Sequence, residues 1–371
     1  MDFDFSDDQE QLREAVHKWV GKAYPFERRR AASSAGGFDA AAWHELAELG
    51  LTGLLAPESL GGLGLGPVEA MVTMEELGRG LVLEPLVQSL ITSAVISAYG
   101  TSEVQQEWVP KIAAGTALIV MAYQERTARY QIDHCETKAV QVPGGYVING
   151  VKSLVAAGDH AHGYLVNARV NSVMGLFLVE RQSSGVTTRG YSTQDGARAA
   201  EMSMKNAPAA LVCVNGLPAL EHAVDIGIAC TCAEAVGAME QTLAITFEYL
   251  KTRKQFGVSI GSFQALRHRA ADMKMQLELA RSMSYYAALK LNAPTAERRA
   301  AMARAKYQLG VSMRFVGQQA IQLHGGIGVT DDYIVSHYFK KLTQLEMTFG
   351  DTLHQLGEVS ARMQDSAGVF A

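Results

Sequence analysis

Residues 221–264 read EHAVDIGIACTCAEAVGAMEQTLAITFEYLKTRKQFGVSIGSFQ, and this stretch decides the fold of the chain. No proline interrupts it, and its apolar side chains recur at the spacing of one helix face. The pattern predicts a long buried helix, then a turn containing Arg253, Phe256 and Gly257, and then a second helix that begins near Gln264. The apolar side chains of the long helix are Val224, Ile228, Val236, Met239, Leu243, Phe247 and Leu250.

The composition limits the class of protein. A chain of 371 residues is long enough for two or three domains, and its net charge of -5 does not indicate a nucleic-acid partner. The acidic N-terminus lacks the pattern of a signal peptide, and no apolar run approaches the roughly 20 residues of a membrane span. The four cysteines show neither a disulfide framework nor metal spacing, which predicts reduced thiols, no metal site and a cytoplasmic protein.

The periodicity changes twice along the chain. Capping signals at Ser6 and Asp39 and a proline at residue 67 predict helices in residues 1–116. Residues 117–216 contain short β-branched and aromatic segments, with a predicted two-residue hairpin turn at Asn149-Gly150, and so favour a small β-barrel. In residues 217–371, helical segments at 221–251, 261–291, 295–323 and 331–345 favour an antiparallel four-helix bundle.

Several local segments then acquire a more specific meaning. The run Pro57 with Gly61-Gly62-Leu63-Gly64, the segment 145–152, the arginine turn and the segment 322–328 (QLHGGIG) together resemble the acyl-CoA dehydrogenase family. The order of a helical domain, a β domain and a helical bundle is also that of the family. The resemblance implies a mainly α fold with a central β domain, an FAD cofactor and an acyl-CoA substrate.

The resemblance implies a set of cofactor-binding residues. Arg253 and Phe256 are expected near the FAD pyrophosphate and adenine, with the turn of one polypeptide and the diglycine bend of another clamping the cofactor across a subunit boundary. Two alternatives stay open. Arg253 could serve simply as a cation that balances a helix dipole, and Gln322 could be a solvated amide at a helix end. The further cofactor-binding positions are Gln264, Gln322, Gly325, Gly326, Thr352 and His354, with Gln124, Thr127 and Arg129 as candidates near the flavin ring.

The sequence departs from the family at the positions that carry the chemistry. The glutamate base expected near the C-terminus is replaced by Gly350, and the alternative position on the long helix is Gly227. Asp351 is therefore the candidate catalytic acid or base, although it could instead be a helix cap or a hydrogen-bond partner of the FAD ribose region. His354 could bind the cofactor or take part in proton transfer. Where the family usually has a tryptophan and a threonine beside the flavin, this chain has Leu154 and Ala156.

These departures are similar to those of the small subunit of two-component acyl-CoA dehydrogenases such as pimeloyl-CoA dehydrogenase. The resemblance implies α,β-dehydrogenation of an acyl-CoA in fatty acid β-oxidation, within a homo- or hetero-oligomer, a tetramer containing a larger subunit. Electron-transfer flavoprotein is the implied electron acceptor. The alternatives are a catalytically inactive structural partner and a related flavoenzyme that uses Asp351 as its base.

Overall fold

The computed structural model describes residues 5–366 of the chain. Within that range there are eleven α-helices: α1 (Asp7–Ala23), α2 (Phe26–Ser34), α3 (Ala40–Glu48), α4 (Pro67–Arg79), α5 (Leu86–Tyr99), α6 (Ser102–Ala113), α7 (Gly216–Thr252), α8 (Gln264–Lys290), α9 (Thr295–His324), α10 (Ile334–Met347) and α11 (Thr352–Ser366). The predicted starts of three helices are confirmed. Ser6 forms a capping box with Gln9, Asp39 caps α3, and Pro67 is the first residue of α4.

Two of the helices were not predicted from the sequence. The first is α2, whose sequence FERRRAASS is largely polar and has no apolar face to detect. The second is α11, which follows the turn after α10 and adds a fifth helix to the four predicted in the C-terminal part. Its apolar residues Leu353 and Met363 are 75% and 56% exposed, so α11 lacks the buried apolar face from which the other helices were predicted.

The central strands form a small barrel. They are β1 (Ile119–Ala122), β2 (Lys138–Val142), β3 (Gly145–Ala156), β4 (Gly163–Val170), β5 (Val173–Glu180), β6 (Val186–Ser192) and β7 (Arg198–Cys213). Strands β2, β3, β7, β5 and β4 pair successively, and β4 pairs again with β2, so these five strands close on themselves. Their inward side chains, among them Tyr164, Phe177 and Met202, form one buried cluster. The predicted β-barrel and the mainly helical fold class are confirmed.

The predicted hairpin turn at Asn149-Gly150 is wrong. Strand β3 continues through both residues, and the β2–β3 turn lies at residues 143–144, where Gly144 has a φ of 88°. The register of β3 against β7 shifts between Ile148 and Gly150, which marks a β-bulge. Gly150 is required there because a Cβ would lie 2.5 Å from the Thr137 Oγ1. The dipeptide Asn149-Gly150, which favours a tight turn in the sequence, therefore forms a β-bulge in the structure.

The chain divides into two compact units by its internal contacts. One contains the chain up to Arg29, the segment Pro67–Val82 and everything from Ile228 onward, and the other contains Arg30–Gly66 and Leu83–Gly227. The three-domain division at residues 116 and 216 stays a prediction. Within the described residues, α7 is long and apolar enough to cross a membrane, contrary to the expectation that no apolar run approaches that length. However, 89% of its most apolar window is buried inside the protein, as in the core helix of a globular fold.

Two glycines allow α4 and α7 to cross at backbone contact in the first unit. A Cβ on Gly237 would lie 1.7 Å from the Glu75 carbonyl oxygen, and one on Gly78 would lie 2.0 Å from the Glu234 carbonyl oxygen. Beside this crossing, Arg281 of α8 binds Glu75 at 2.6 Å and Glu240 at 3.0 Å. Close backbone approach and a half-buried ion network therefore join α4, α7 and α8.

Candidate functional site

The arginine turn is a short projecting hairpin. Strands β8 (Lys254–Gln255) and β9 (Val258–Ser259) pair across Phe256 and Gly257, which both have positive φ, the geometry of a two-residue hairpin turn. Phe256 is 91% exposed, and its ring lies edge-on to that of Phe263, with the ring centroids 6.1 Å apart. The Arg253 side chain at the hairpin base is exposed and has no hydrogen-bond or ion-pair partner within residues 5–366.

The diglycine bend lies beside the base of this hairpin in the same chain. Tyr249, one turn before Arg253, stacks on His324 with ring centroids 4.5 Å apart, and its hydroxyl donates to the His324 carbonyl at 3.3 Å. Gly325 follows immediately with a φ of 65°. The expectation that one FAD is clamped by the arginine turn of one polypeptide and the diglycine bend of another stays a prediction.

This surface fits an anionic dinucleotide such as FAD. A Cβ placed on Gly325 or Gly326 would meet nothing within 4 Å, so the backbone there is open to a ligand. The His324 Nδ1 donates to the Ala320 carbonyl at 2.8 Å, and its buried Nε2 has no partner among the described residues. Burial lowers the pKa of His324, which keeps the ring neutral at pH 7. The predicted residues Gln264 and Gln322 are both exposed on the same unit.

The predicted catalytic residue Asp351 caps a helix. Its Oδ1 accepts a hydrogen bond from the His354 backbone N–H at 2.8 Å, and its carbonyl accepts one from the Gln355 N–H at 3.0 Å. This is the N-cap arrangement of α11, one of the alternatives that the sequence left open. Catalysis by Asp351 stays a prediction. The preceding residues Phe349 and Gly350 both have positive φ, 56° and 104°.

The hydroxyl of Thr352, a predicted cofactor contact, is turned into the protein. Its Oγ1 donates to the Glu346 carboxylate at 2.5 Å, and its backbone N–H donates to the same Oε1 at 2.9 Å. His354 is half-buried, and burial lowers its pKa. Sequence reasoning missed Glu346 and also Lys306, whose buried Nζ donates to the carbonyls of Glu346 and Gly350 at 2.7 and 3.1 Å. A lysine within the helical pattern of α9 was the available signal.

The second unit holds the residues predicted near the flavin ring. Gln124 is half-buried, and its carbonyl accepts the Ser153 N–H at 2.9 Å. Thr127 is exposed and its hydroxyl donates to Glu136 at 3.1 Å. Leu154, at a position where the family has a tryptophan, is 59% exposed with a φ of 54°. Ala156 offers no hydroxyl, so the fit to a flavin is weaker here than at the diglycine bend.

A buried ion pair under this loop was also missed. Lys152 is fully buried and its Nζ binds the Glu125 Oε1 and the Asn167 Oδ1, each at 2.7 Å. Burial by itself raises the pKa of Glu125, but the Lys152 ammonium and the hydrogen bonds from Thr137 and Glu136 lower it to about 2. The pair anchors the loop that carries Gln124 and Thr127. On α7, Gly227 has no side chain and the nearby Asp225 is fully buried.

An all-helical part, a closed barrel and a helical bundle, in this order, are the architecture of the acyl-CoA dehydrogenase fold. Family models for the acyl-CoA dehydrogenase N-terminal, middle and C-terminal domains match residues 6–116, 120–207 and 215–364. IpdE2 of Mycobacterium tuberculosis, an acyl-CoA dehydrogenase, is 30% identical over 342 residues, which are 90% of this chain and 91% of that protein. The chain belongs to the acyl-CoA dehydrogenase family, whose cofactor is FAD.

Solved structures agree with this assignment. A Tcur3481–Tcur3483 steroid acyl-CoA dehydrogenase variant is 28% identical with a TM-score of 0.90, covering 98% of this chain and 99% of that one. The ChsE4–ChsE5 complex from Mycobacterium tuberculosis is 26% identical, also with a TM-score of 0.90 and the same coverage. Both are similar to this chain over nearly its whole length.

Proposed function

We propose that this chain is one subunit of a heteromeric acyl-CoA dehydrogenase that removes hydrogen from the α and β carbons of an acyl-CoA. One observation carries the proposal: a chain of this family presents an open surface with an exposed arginine beside the diglycine bend, but has glycine where the base is expected. The surface is formed by Arg253, Phe256, Gly325 and Gly326. The glycine is Gly350.

The residues of this surface have distinct tasks. The Arg253 guanidinium would neutralise the pyrophosphate, and the open N–H groups of Gly325 and Gly326 would donate to it. The exposed Phe256 ring would cover the adenine side and lose its contact with water. When bound, FAD accepts a hydride from the β carbon of the substrate, while a carboxylate removes the α proton.

We propose that a larger homologous subunit supplies this carboxylate. Gly350 and Gly227 carry no side chain, and Asp351 is engaged as a helix cap. The ChsE4–ChsE5 structure, to which this chain is similar, is a complex of two different proteins. We further propose a cytoplasmic tetramer, with electron-transfer flavoprotein as the electron acceptor.

We propose a ring-bearing acyl-CoA as the substrate class. The support is the similarity to a solved steroid acyl-CoA dehydrogenase at 28% identity. The competing classes are medium-length and dicarboxylic acyl-CoAs of β-oxidation. Rates of flavin reduction by a steroid side-chain CoA thioester, octanoyl-CoA and pimeloyl-CoA would separate the three, and the proposal expects the first to react fastest.

A second candidate function places the base in this chain at Asp351. The observation that favours it is the position of Asp351 directly after Gly350, in the same turn. The variant Asp351→Asn tests it, because asparagine retains an oxygen that can cap α11 but cannot accept the α proton. Unchanged flavin reduction in the assembled enzyme would assign the base to the partner, and a loss of several orders of magnitude would assign it to Asp351.

The proposal is tested by FAD retention. We expect Arg253→Ala to raise the dissociation constant for FAD about tenfold or more, because a charge-assisted contact contributes about 1.5–3 kcal/mol. Arg304→Ala is the matched control, since the Arg304 side chain is also exposed and has no hydrogen bond or ion pair within the described residues. The measurement is fluorescence titration of FAD into the co-purified assembly. Equal FAD affinity in both variants would contradict the proposed role of the hairpin.

A further inference from the structure

The turn between α10 and α11 has an unusual backbone. Phe349 and Gly350 are both in the left-handed region, with φ values of 56° and 104°. A residue with a Cβ is strained there, and the φ of Gly350 is further from the ordinary left-handed minimum than that of Phe349. A glutamate at residue 350 would therefore have to adopt a backbone conformation that favours glycine.

The space beside Gly350 is also filled. A Cβ at residue 350 would lie 2.5 Å from the Gln355 Nε2 and 2.6 Å from the His354 Cδ2. Gln355 is 3% exposed, and its Nε2 donates to the Phe349 carbonyl at 2.9 Å. Moving the Gln355 amide away would leave the Phe349 carbonyl without its donor. The Gln355 side chain is therefore held where the Cβ of a base at residue 350 would lie.

The buried side chains of Lys306 and Glu346 hold the turn between α10 and α11 by hydrogen bonds. The Lys306 Nζ donates to the carbonyls of Glu346 and Gly350, and the Glu346 carboxylate accepts the N–H and hydroxyl of Thr352. Gly310 of α9 makes room for this arrangement, because a Cβ there would lie 2.2 Å from the Thr352 Oγ1. Both ends of the turn are thus tied to the helices beneath it.

We infer that Gln355 and Lys306 are positioning residues that close residue 350 to any side chain, so that one substitution cannot give this subunit a base. The inference rests on the proposed function, since only a dehydrogenase of this family requires a carboxylate at that position. It goes further than the absence of a glutamate, because it places the cause in the backbone and in the packing of α9 and α11. A partner subunit with a base at the equivalent turn must hold that turn differently.

The test is a double-mutant cycle in thermal unfolding of the full chain. We expect Gly350→Ala to lower the unfolding midpoint by roughly 4 °C, and to lower it by less than half as much in a Gln355→Ala background. The matched control is Gly357→Ala, in the same helix α11, where a Cβ would meet nothing within 4 Å and little change is expected. A Gly350→Ala midpoint equal to that of the wild type, or a loss independent of Gln355, would overturn the inference.

A second readout distinguishes closure of the position from general loss of stability. The variant Gly350→Glu, loaded with FAD and mixed in turn with the steroid side-chain, octanoyl and pimeloyl CoA thioesters, is expected to show no gain in flavin reduction over the wild type. A gain would overturn the inference. FAD content of the same samples reports separately on the proposed function, while the unfolding cycle reports on the turn whether or not FAD is retained.

Discussion

Buried charge is the main electrostatic feature at the scale of single residues. Lys152 and Lys306 are 0% and 1% exposed, and each is compensated in a different way. Lys152 faces the carboxylate of Glu125, whereas Lys306 donates to two backbone carbonyls. Removing a partner from a buried charge costs more than the pair itself contributes, so the two sites predict different responses to substitution.

We expect Glu125→Gln to lower the free energy of unfolding by about 3 kcal/mol, because Lys152 would lose its carboxylate. Glu136→Gln is the control, since Glu136 is exposed and a change of about 0.5 kcal/mol or less is expected. The measurement is urea unfolding at pH 7. Equal stability of the two variants would contradict the account.

The same pair predicts acid sensitivity. The pKa of Glu125 is lowered from its ordinary 4.5 to about 2, so its contribution is fully present above pH 4.5 and is lost as the pH falls toward 2. Glu125→Gln should therefore lose less stability than the wild type between pH 5 and pH 3. Parallel acid-unfolding curves would show that the pair is not the cause.

Lys306 predicts a second rise of stability with pH, in the alkaline range. Burial lowers its pKa from 10.5 to about 8, so between these values the unfolded chain binds more protons and the free energy of unfolding rises with pH. The gain is on the order of 1 kcal/mol between pH 8 and pH 9. Lys306→Met should lack it, which urea unfolding of both proteins at the two pH values would check. An equal rise in the variant would assign it to other groups.

The sequence indicated which residues matter at the turn but not how they are held. Asp351 was identified with its alternatives, catalytic acid, helix cap or FAD contact, and the structure shows the cap contact. Lys306 and Glu346 lie 40 residues apart in the chain, so no local pattern joins them. Contacts of this kind depend on the packing of two helices and cannot be predicted from spacing in one.

At the scale of elements, glycine sets the distance between helices. Gly237→Ala should destabilise the fold by about 3 kcal/mol or more, because its Cβ would overlap the Glu75 carbonyl oxygen of α4. Gly21→Ala in α1 is the matched control, since its Cβ would meet nothing within 4 Å and alanine is the better helix former. Thermal unfolding should show a fall for the first and a slight rise for the second. A tolerated Gly237→Ala would contradict the close crossing.

Helices with capping signals and an apolar face were predicted well, whereas the polar α2, the exposed α11 and the position of one hairpin turn were not. The long α7 and the starts of α1, α3 and α4 followed from local chemistry. The Asn149-Gly150 turn failed because Gly144 already supplies the turn, which leaves the dipeptide to form a bulge against β7. Whether a dipeptide with turn propensity forms a turn or a bulge depends on which strand its neighbours pair with. That pairing is tertiary information, which the local sequence does not contain.

At the scale of the whole molecule, the order of periodicities was sufficient to predict a helical part, a barrel and a helical bundle. The family matches over 6–116, 120–207 and 215–364 follow the same order. What the order could not show is that the arginine turn and the diglycine bend are adjacent within one chain. That adjacency depends on the stacking of Tyr249 on His324, which are 75 residues apart.

The most direct test of the account is the visible flavin absorption of this chain co-purified with a larger homologous subunit, recorded before and after addition of an acyl-CoA. The account predicts that the assembly carries FAD and that the acyl-CoA bleaches its absorption band. An assembly that forms but retains no FAD, or whose band is unchanged by steroid side-chain, octanoyl and pimeloyl thioesters alike, would contradict it.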